Sequence, residues 1–180
     1  MARSPSNPQM ALRPQDVVVL LRLALGKDQM PGYAALAAEL GMTASEVHAA
    51  VERAVTAQLA RKESGKPVVV LAALRSFLLH GARYAFPAIQ GSLSRGVPTG
   101  YAAPPLKELI LAGNDPIPVW PSKDGSARGV ALYPLYPSVP QAAMRNSDLY
   151  ELLTLFDAVR AGNARERSLA SELLEKRLAA

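Results

Sequence analysis

The sequence predicts a mainly α-helical chain with a small β-hairpin in its middle and a pair of helices at its C-terminal end. Three observations carry that reading. Apolar residues recur at spacings of three and four through 14–59 and again through 148–178. Between them, in 82–147, glycine and proline interrupt every period. Within that interrupted stretch, Asp124-Gly125 separates two short runs of strand-forming residues, 117–120 and 129–133.

The first helix is expected over 14–25. Pro14 suits the first helical position, where its missing N–H costs nothing, and Val17, Leu20, Leu21, Ala24 and Leu25 form one stripe. Gly26 offers the stop. A second helix spans 33–40, with Leu36, Ala37 and Leu40 inward, and Gly41 turns the chain because glycine tolerates the left-handed conformation. Thr43 or Ser45 caps a third helix running from Glu46 to about Gln58, with Val47, Val51, Ala54 and Val55 inside. The polar segment 60–67, which contains Gly65, is the place for a wing or a loop, and a helix is expected over 68–80, ended by Gly81.

Beyond it, 106–112 reads as a short helix, and Pro134, Pro137 and Pro140 forbid a regular central strand. Trp120, Tyr133 and Tyr136 are expected to pack this irregular layer. Asp148 with Glu151 reads as a capping box for a helix carrying Leu149, Leu152, Leu153, Phe156 and Val159. Gly162 ends it, and 164–178 forms the last helix, striped by Leu169, Leu173, Leu174 and Leu178. That stripe serves equally as a dimer face or as packing within the chain. The organisation expected is an arm at 1–12, a first domain at 13–81, a connecting layer at 82–147 and a helical hairpin at 148–180.

The 180 residues are 49% hydrophobic, enough to bury a real core, and contain no cysteine. Disulfides, thiolate metal sites and cysteine nucleophiles are thereby excluded. The polar start lacks a secretory apolar core and no run is long enough to span a bilayer, so a cytoplasmic protein with no membrane partner is expected. The formal charge of +5 favours a polyanionic partner. Its distribution is uneven: 67–105 carries Arg75, Arg83 and Arg95 with no acid, whereas 148–180 carries five basic and six acidic side chains.

The segment 33–62, YAALAAELGMTASEVHAAVERAVTAQLARK, resembles the helix-turn-helix of winged-helix transcriptional regulators, including the MarR-like ones. Ala37 is small where two helices cross, Gly41 makes the turn, and Gln58-Leu59 stands where such regulators often carry Gly-Leu before the wing. The likeness covers about residues 12–66. It implies a winged-helix-like domain whose helix from Ser45 lies in the major groove of double-stranded DNA. By position, Thr43, Ala44, Ser45, His48, Ala49 and Glu52 then face the groove, with Glu52 placed to accept from a cytosine amino group. Arg53, Arg61, Lys62 and Lys66 would contact phosphate. The first positions of that helix lack arginine, lysine, asparagine and glutamine, and carry Glu46 and Glu52 instead. The alternative is therefore a protein-binding surface, as in an antitoxin-like partner of a two-protein system.

A second candidate is 75–101, where Arg75, His80, Arg83 and Arg95 alternate with Tyr84, Phe86 and Tyr101. Basic and aromatic residues so mixed can track a nucleic-acid backbone, and Arg83 and Arg95 are the expected additional phosphate contacts. Catalysis finds little support: His48 and His80 stand on separate helices, and GSLSRG at 91–96 lacks the spacing and the lysine of a phosphate loop. No cofactor and no metal is expected. The function expected is sequence-selective DNA binding by a homodimeric repressor, not an enzyme.

Overall fold

The computed structural model describes residues 11–26, 31–111 and 113–179. All but the last two residues of the expected arm lie outside that range. The described chain is mainly helical, with a two-stranded and a three-stranded sheet.

Helix α1 (Pro14–Leu25) is buried on more than one stripe: Val17, Val18, Val19, Leu20, Leu21 and Leu23 are all inside. The reason is tertiary. One side meets α3 (Ala44–Thr56) and another meets α7 (Ser147–Ala161). Helix α2 (Tyr33–Leu40) ends at Gly41, which adopts φ +65°, the left-handed conformation expected. Thr43 caps α3 in a capping box with Glu46. Gln58 takes φ +61°, so a non-glycine residue occupies the left-handed position before Leu59.

The polar segment after Leu59 is an antiparallel hairpin, β1 (Ala60–Glu63) with β2 (Lys66–Val69), turned through Ser64 and Gly65. The helix expected at 68–80 is corrected at both ends. Val68 and Val69 belong to β2, because their backbone pairs with Arg61 and Ala60. Helix α4 (Leu71–Ser76) then continues through a π-turn (Phe77–Gly81) into α5 (Ala82–Ala85), so Gly81 does not end it.

The connecting layer is more ordered than its glycines and prolines suggest. Strand β3 (Gln90–Pro98) runs antiparallel to both β4 (Pro118–Pro121) and β5 (Ala127–Leu132). Strands β4 and β5 also pair with each other in parallel, which closes the sheet into a small barrel. The expected hairpin about Asp124-Gly125 is thus corrected to two strands running the same way. Glycines make the closure sterically available. A Cβ on Gly96 would stand 2.1 Å from the Trp120 carbonyl oxygen, and one on Gly129 would stand 1.9 Å from that of Ile117.

The expected helix at 106–112 reduces to a single 3-10 turn, Leu106–Glu108, and Ala112 lies outside the described residues. Helix α6 (Val139–Arg145) was not expected; Pro140 occupies its first turn, a position where proline is compatible with a helix. Helix α7 is capped by Asn146, whose side chain accepts from the Leu149 N–H, not by Asp148. From Leu152 to Val159 every residue of α7 is buried, which makes it the central pillar of the molecule. Helix α8 (Ala164–Arg177) packs on α7 with Leu174 and Leu178 buried, so its leucine stripe is used within the chain.

Candidate nucleic-acid interface

The candidate surface is built from the outer face of α3 and the hairpin beside it. Ala44, Ser45 and His48 are exposed, Ala49 is half-buried, and the His48 side chain keeps 56% of its accessible surface. The Tyr33 ring meets His48 edge-on, with centroids 5.3 Å apart. Tyr33 thereby joins the face from α2. Sequence spacing gave no sign of it, because the two residues meet only through the crossing of α2 and α3.

Thr43 is at the expected place with its hydroxyl already engaged. It accepts from the Glu46 N–H at 3.2 Å and donates to Glu46 Oε2 at 2.9 Å. Glu46 also accepts from the Tyr136 hydroxyl at 2.7 Å. The Thr43 N–H, the Tyr136 hydroxyl and the Thr43 hydroxyl together hold the Glu46 carboxyl below its ordinary range. Ser138 donates to the Leu40 carbonyl, and Arg145 reaches the Ala38 carbonyl at 3.4 Å. The segment before α6, and α6 itself, therefore brace the α2–α3 turn from outside.

Glu52 is the centre of the face. It accepts from Lys62 Nζ of β1 at 2.5 Å and stands 3.7 Å from His48 Nε2. The Lys62 bond lowers the Glu52 pKa and raises that of Lys62, so both stay charged across the neutral range. Arg61 likewise donates to Glu63 at 2.6 Å. Lys66 is exposed, and no ion pair joins it to another described residue.

Arg53 is not on this face. Its side chain is 9% exposed and forms a two-pronged ion pair with Asp16, Nε to Oδ2 at 2.8 Å and Nη2 to Oδ1 at 2.7 Å. Asp16 also accepts from the Arg13 N–H at 2.8 Å. The phosphate role expected for Arg53 is corrected to a structural one, joining α3 to the start of α1. Arg83 and Arg95 stand apart from the face. Arg83 lies on α5 over the Tyr84 ring at 5.1 Å, and Arg95 on β3 donates to the Gly125 carbonyl at 2.7 Å. His80 and Tyr84 are exposed, whereas Phe86 packs on Phe77.

A buried polar hub lies elsewhere. Asp157 of α7 accepts from the Thr99 hydroxyl at 2.7 Å, Trp120 Nε1 at 2.6 Å and Arg160 Nη2 at 2.6 Å. The hub ties the barrel to the central helix. Nothing in the spacing of residues 99, 120 and 157 announced it.

No family profile, curated protein or solved structure matches the chain. Among the described residues no group of three or more metal-ligating side chains occurs, and no helix is long and apolar enough to cross a membrane.

Proposed function

We propose that the chain binds double-stranded DNA as a winged-helix transcriptional regulator, a homodimer that represses the promoter it occupies. Helix α3 is then the recognition helix and β1–β2 the wing. The observation that carries the reading is the exposed first half of α3 standing beside a short basic hairpin, which Lys62 and Glu52 join. A helix with a protruding neighbour of this kind suits a major groove flanked by phosphate.

Ser45 and His48 read base edges, while Arg61, Lys62 and Lys66 contact phosphate. Thr43 contributes by fixing the first turn of α3. Tyr33 orients His48. Glu52 accepts from a cytosine amino group once Lys62 moves to a phosphate. Before that exchange it holds Lys62 and so opposes binding where the base is wrong.

The test is a set of exposed substitutions against a DNA fragment selected by the protein from a random pool. Ser45→Ala and His48→Ala are each expected to weaken binding about tenfold, with thermal unfolding unchanged. Glu52→Gln is expected to tighten binding to scrambled DNA and to erode the preference for the selected site. Unchanged affinities in all three variants would remove α3 from the interface.

One observation favours a second reading, in which the same face holds a protein partner. Three carboxylates, Glu46, Glu52 and Glu63, balance the three exposed cations, Arg61, Lys62 and Lys66. A near-neutral face is poor at gathering phosphates. Co-purification of a stoichiometric second protein, lost on His48→Glu, supports that reading.

A further inference from the structure

A cleft of about 170 Å³ opens between the barrel and the junction of α7 with α8. Its volume is comparable to the ~150 Å³ of an apolar cavity that takes benzene. Val130 and Leu132 of β5, Pro118, and Ala158 and Ala161 of α7 give it apolar walls. Asp157 reaches it, but that carboxylate is fully engaged by Thr99, Trp120 and Arg160.

The remaining polar groups are different. Tyr101 and Gln90 line the cleft, and neither side chain has a hydrogen-bond partner among the described residues. Glu166 lines it too. Its carboxylate accepts only from Asn163, from the side-chain amide at 2.7 Å and the backbone N–H at 3.2 Å. Those donors are neutral, and no ion pair among the described residues compensates the charge. Arg167 donates to the Gly162 carbonyl at the rim, at 2.7 Å, and no lysine or arginine is in the lining. Burial first, and then the charges of Glu166 and Asp115, raise the Tyr101 phenol above its ordinary pKa, so a second carboxylate acts on the same ring.

We infer that this cleft binds a small organic cation, an ammonium carried on an apolar body of about benzene size. The ammonium lies at Glu166, beside Tyr101. The body lies against Pro118, Ala158 and Ala161. A phenol and a carboxylate that has no ion pair among the described residues, around a half-enclosed apolar space, favour a cation over a neutral or anionic molecule of the same shape. The inference is independent of DNA binding.

The probes are benzylamine, benzyl alcohol and benzoate, titrated calorimetrically into the full chain at low salt. Benzylamine is expected to bind saturably and about tenfold more tightly than benzyl alcohol, with benzoate weakest. Glu166→Gln preserves the cap of α8, since glutamine serves the same box. It is expected to cut the preference for the amine to about threefold or less. Asp115→Asn, on an exposed side chain, checks the charge without touching the cap and is expected to reduce the preference about twofold. The inference is overturned if benzyl alcohol binds as tightly as benzylamine, if both variants keep the full preference, or if no probe saturates below about 10 mM.

Discussion

Asp16 and Arg53 show how far a single contact redirects the reading of a residue. On α3, Arg53 has the spacing and charge of a phosphate contact. Buried against Asp16, it is a cross-brace between α1 and α3, with Nε and Nη2 committed. Removing one partner strands the other charge. Asp16→Ala is therefore expected to cost about 3–5 kcal/mol in urea unfolding, and Arg53→Ala a similar amount. Replacing both together, Asp16→Leu with Arg53→Met, is expected to recover most of the loss. A cost below about 1 kcal/mol for each single variant would contradict the brace. Arg53 is also expected to be uninformative about DNA, since its loss acts through folding. Single residues were hard to read in the sequence for this reason. Exposure at Ser45 and His48 follows from helical phase alone, whereas the engagement of Arg53, Glu46 and Trp120 depends on partners 37 to 90 residues away.

Elements were legible where local chemistry decides them. Pro14 and Gly26 bracket α1, Gly41 turns the chain, and Thr43 with Glu46 starts α3, each through contacts within four residues. The barrel was illegible, since its glycines act by letting strands approach and not by breaking them. The same logic hid β3, whose Gly91, Gly96 and Pro98 read as interruptions. Two substitutions separate the two uses of glycine. At Gly41 a side chain meets a left-handed backbone and stands 2.8 Å from Ser138 Cβ. Gly41→Ala is expected to cost about 1–3 kcal/mol, part of it restored by Ser138→Gly. At Gly129 the obstacle is the Ile117 carbonyl, which cannot swing aside. Gly129→Ala is expected to cost more than Gly41→Ala, and no side-chain change nearby should rescue it. Chemical denaturation of Gly41→Ala, of Gly41→Ala with Ser138→Gly, and of Gly129→Ala checks the order; equal costs at the two glycines would contradict it.

At the scale of the whole molecule, α7 is what both halves share. It packs on α1 below the candidate interface and on the barrel through Asp157, and α6 leads from it back to the α2–α3 turn. Unfolding is therefore expected in one transition. Tyr150 on α7 gives that unit a titration: its hydroxyl donates to the Pro98 carbonyl at 2.6 Å, and burial pushes its pKa up to about 12. A phenol with a raised folded pKa contributes stability that is complete below its ordinary value near 10 and is lost as pH rises toward 12. Thermal unfolding is expected to fall across that window, and less steeply in Tyr150→Phe; an identical slope in the variant would contradict the assignment. The near-neutral candidate interface also sets a global expectation. With three exposed cations on the face, the salt dependence of DNA binding should be shallow for a charged ligand.

That dependence is the measurement nearest to the central claim. Binding of the full chain to a labelled fragment from upstream of its own gene is followed across a salt series, beside a scrambled fragment. The account predicts tighter binding to the native fragment, a log–log salt slope of about −3 per protomer from Arg61, Lys62 and Lys66, and loss of the preference in His48→Ala. Equal, weak binding to both fragments, unchanged by His48→Ala, would contradict it and move the face formed by α3 and the hairpin to a protein partner.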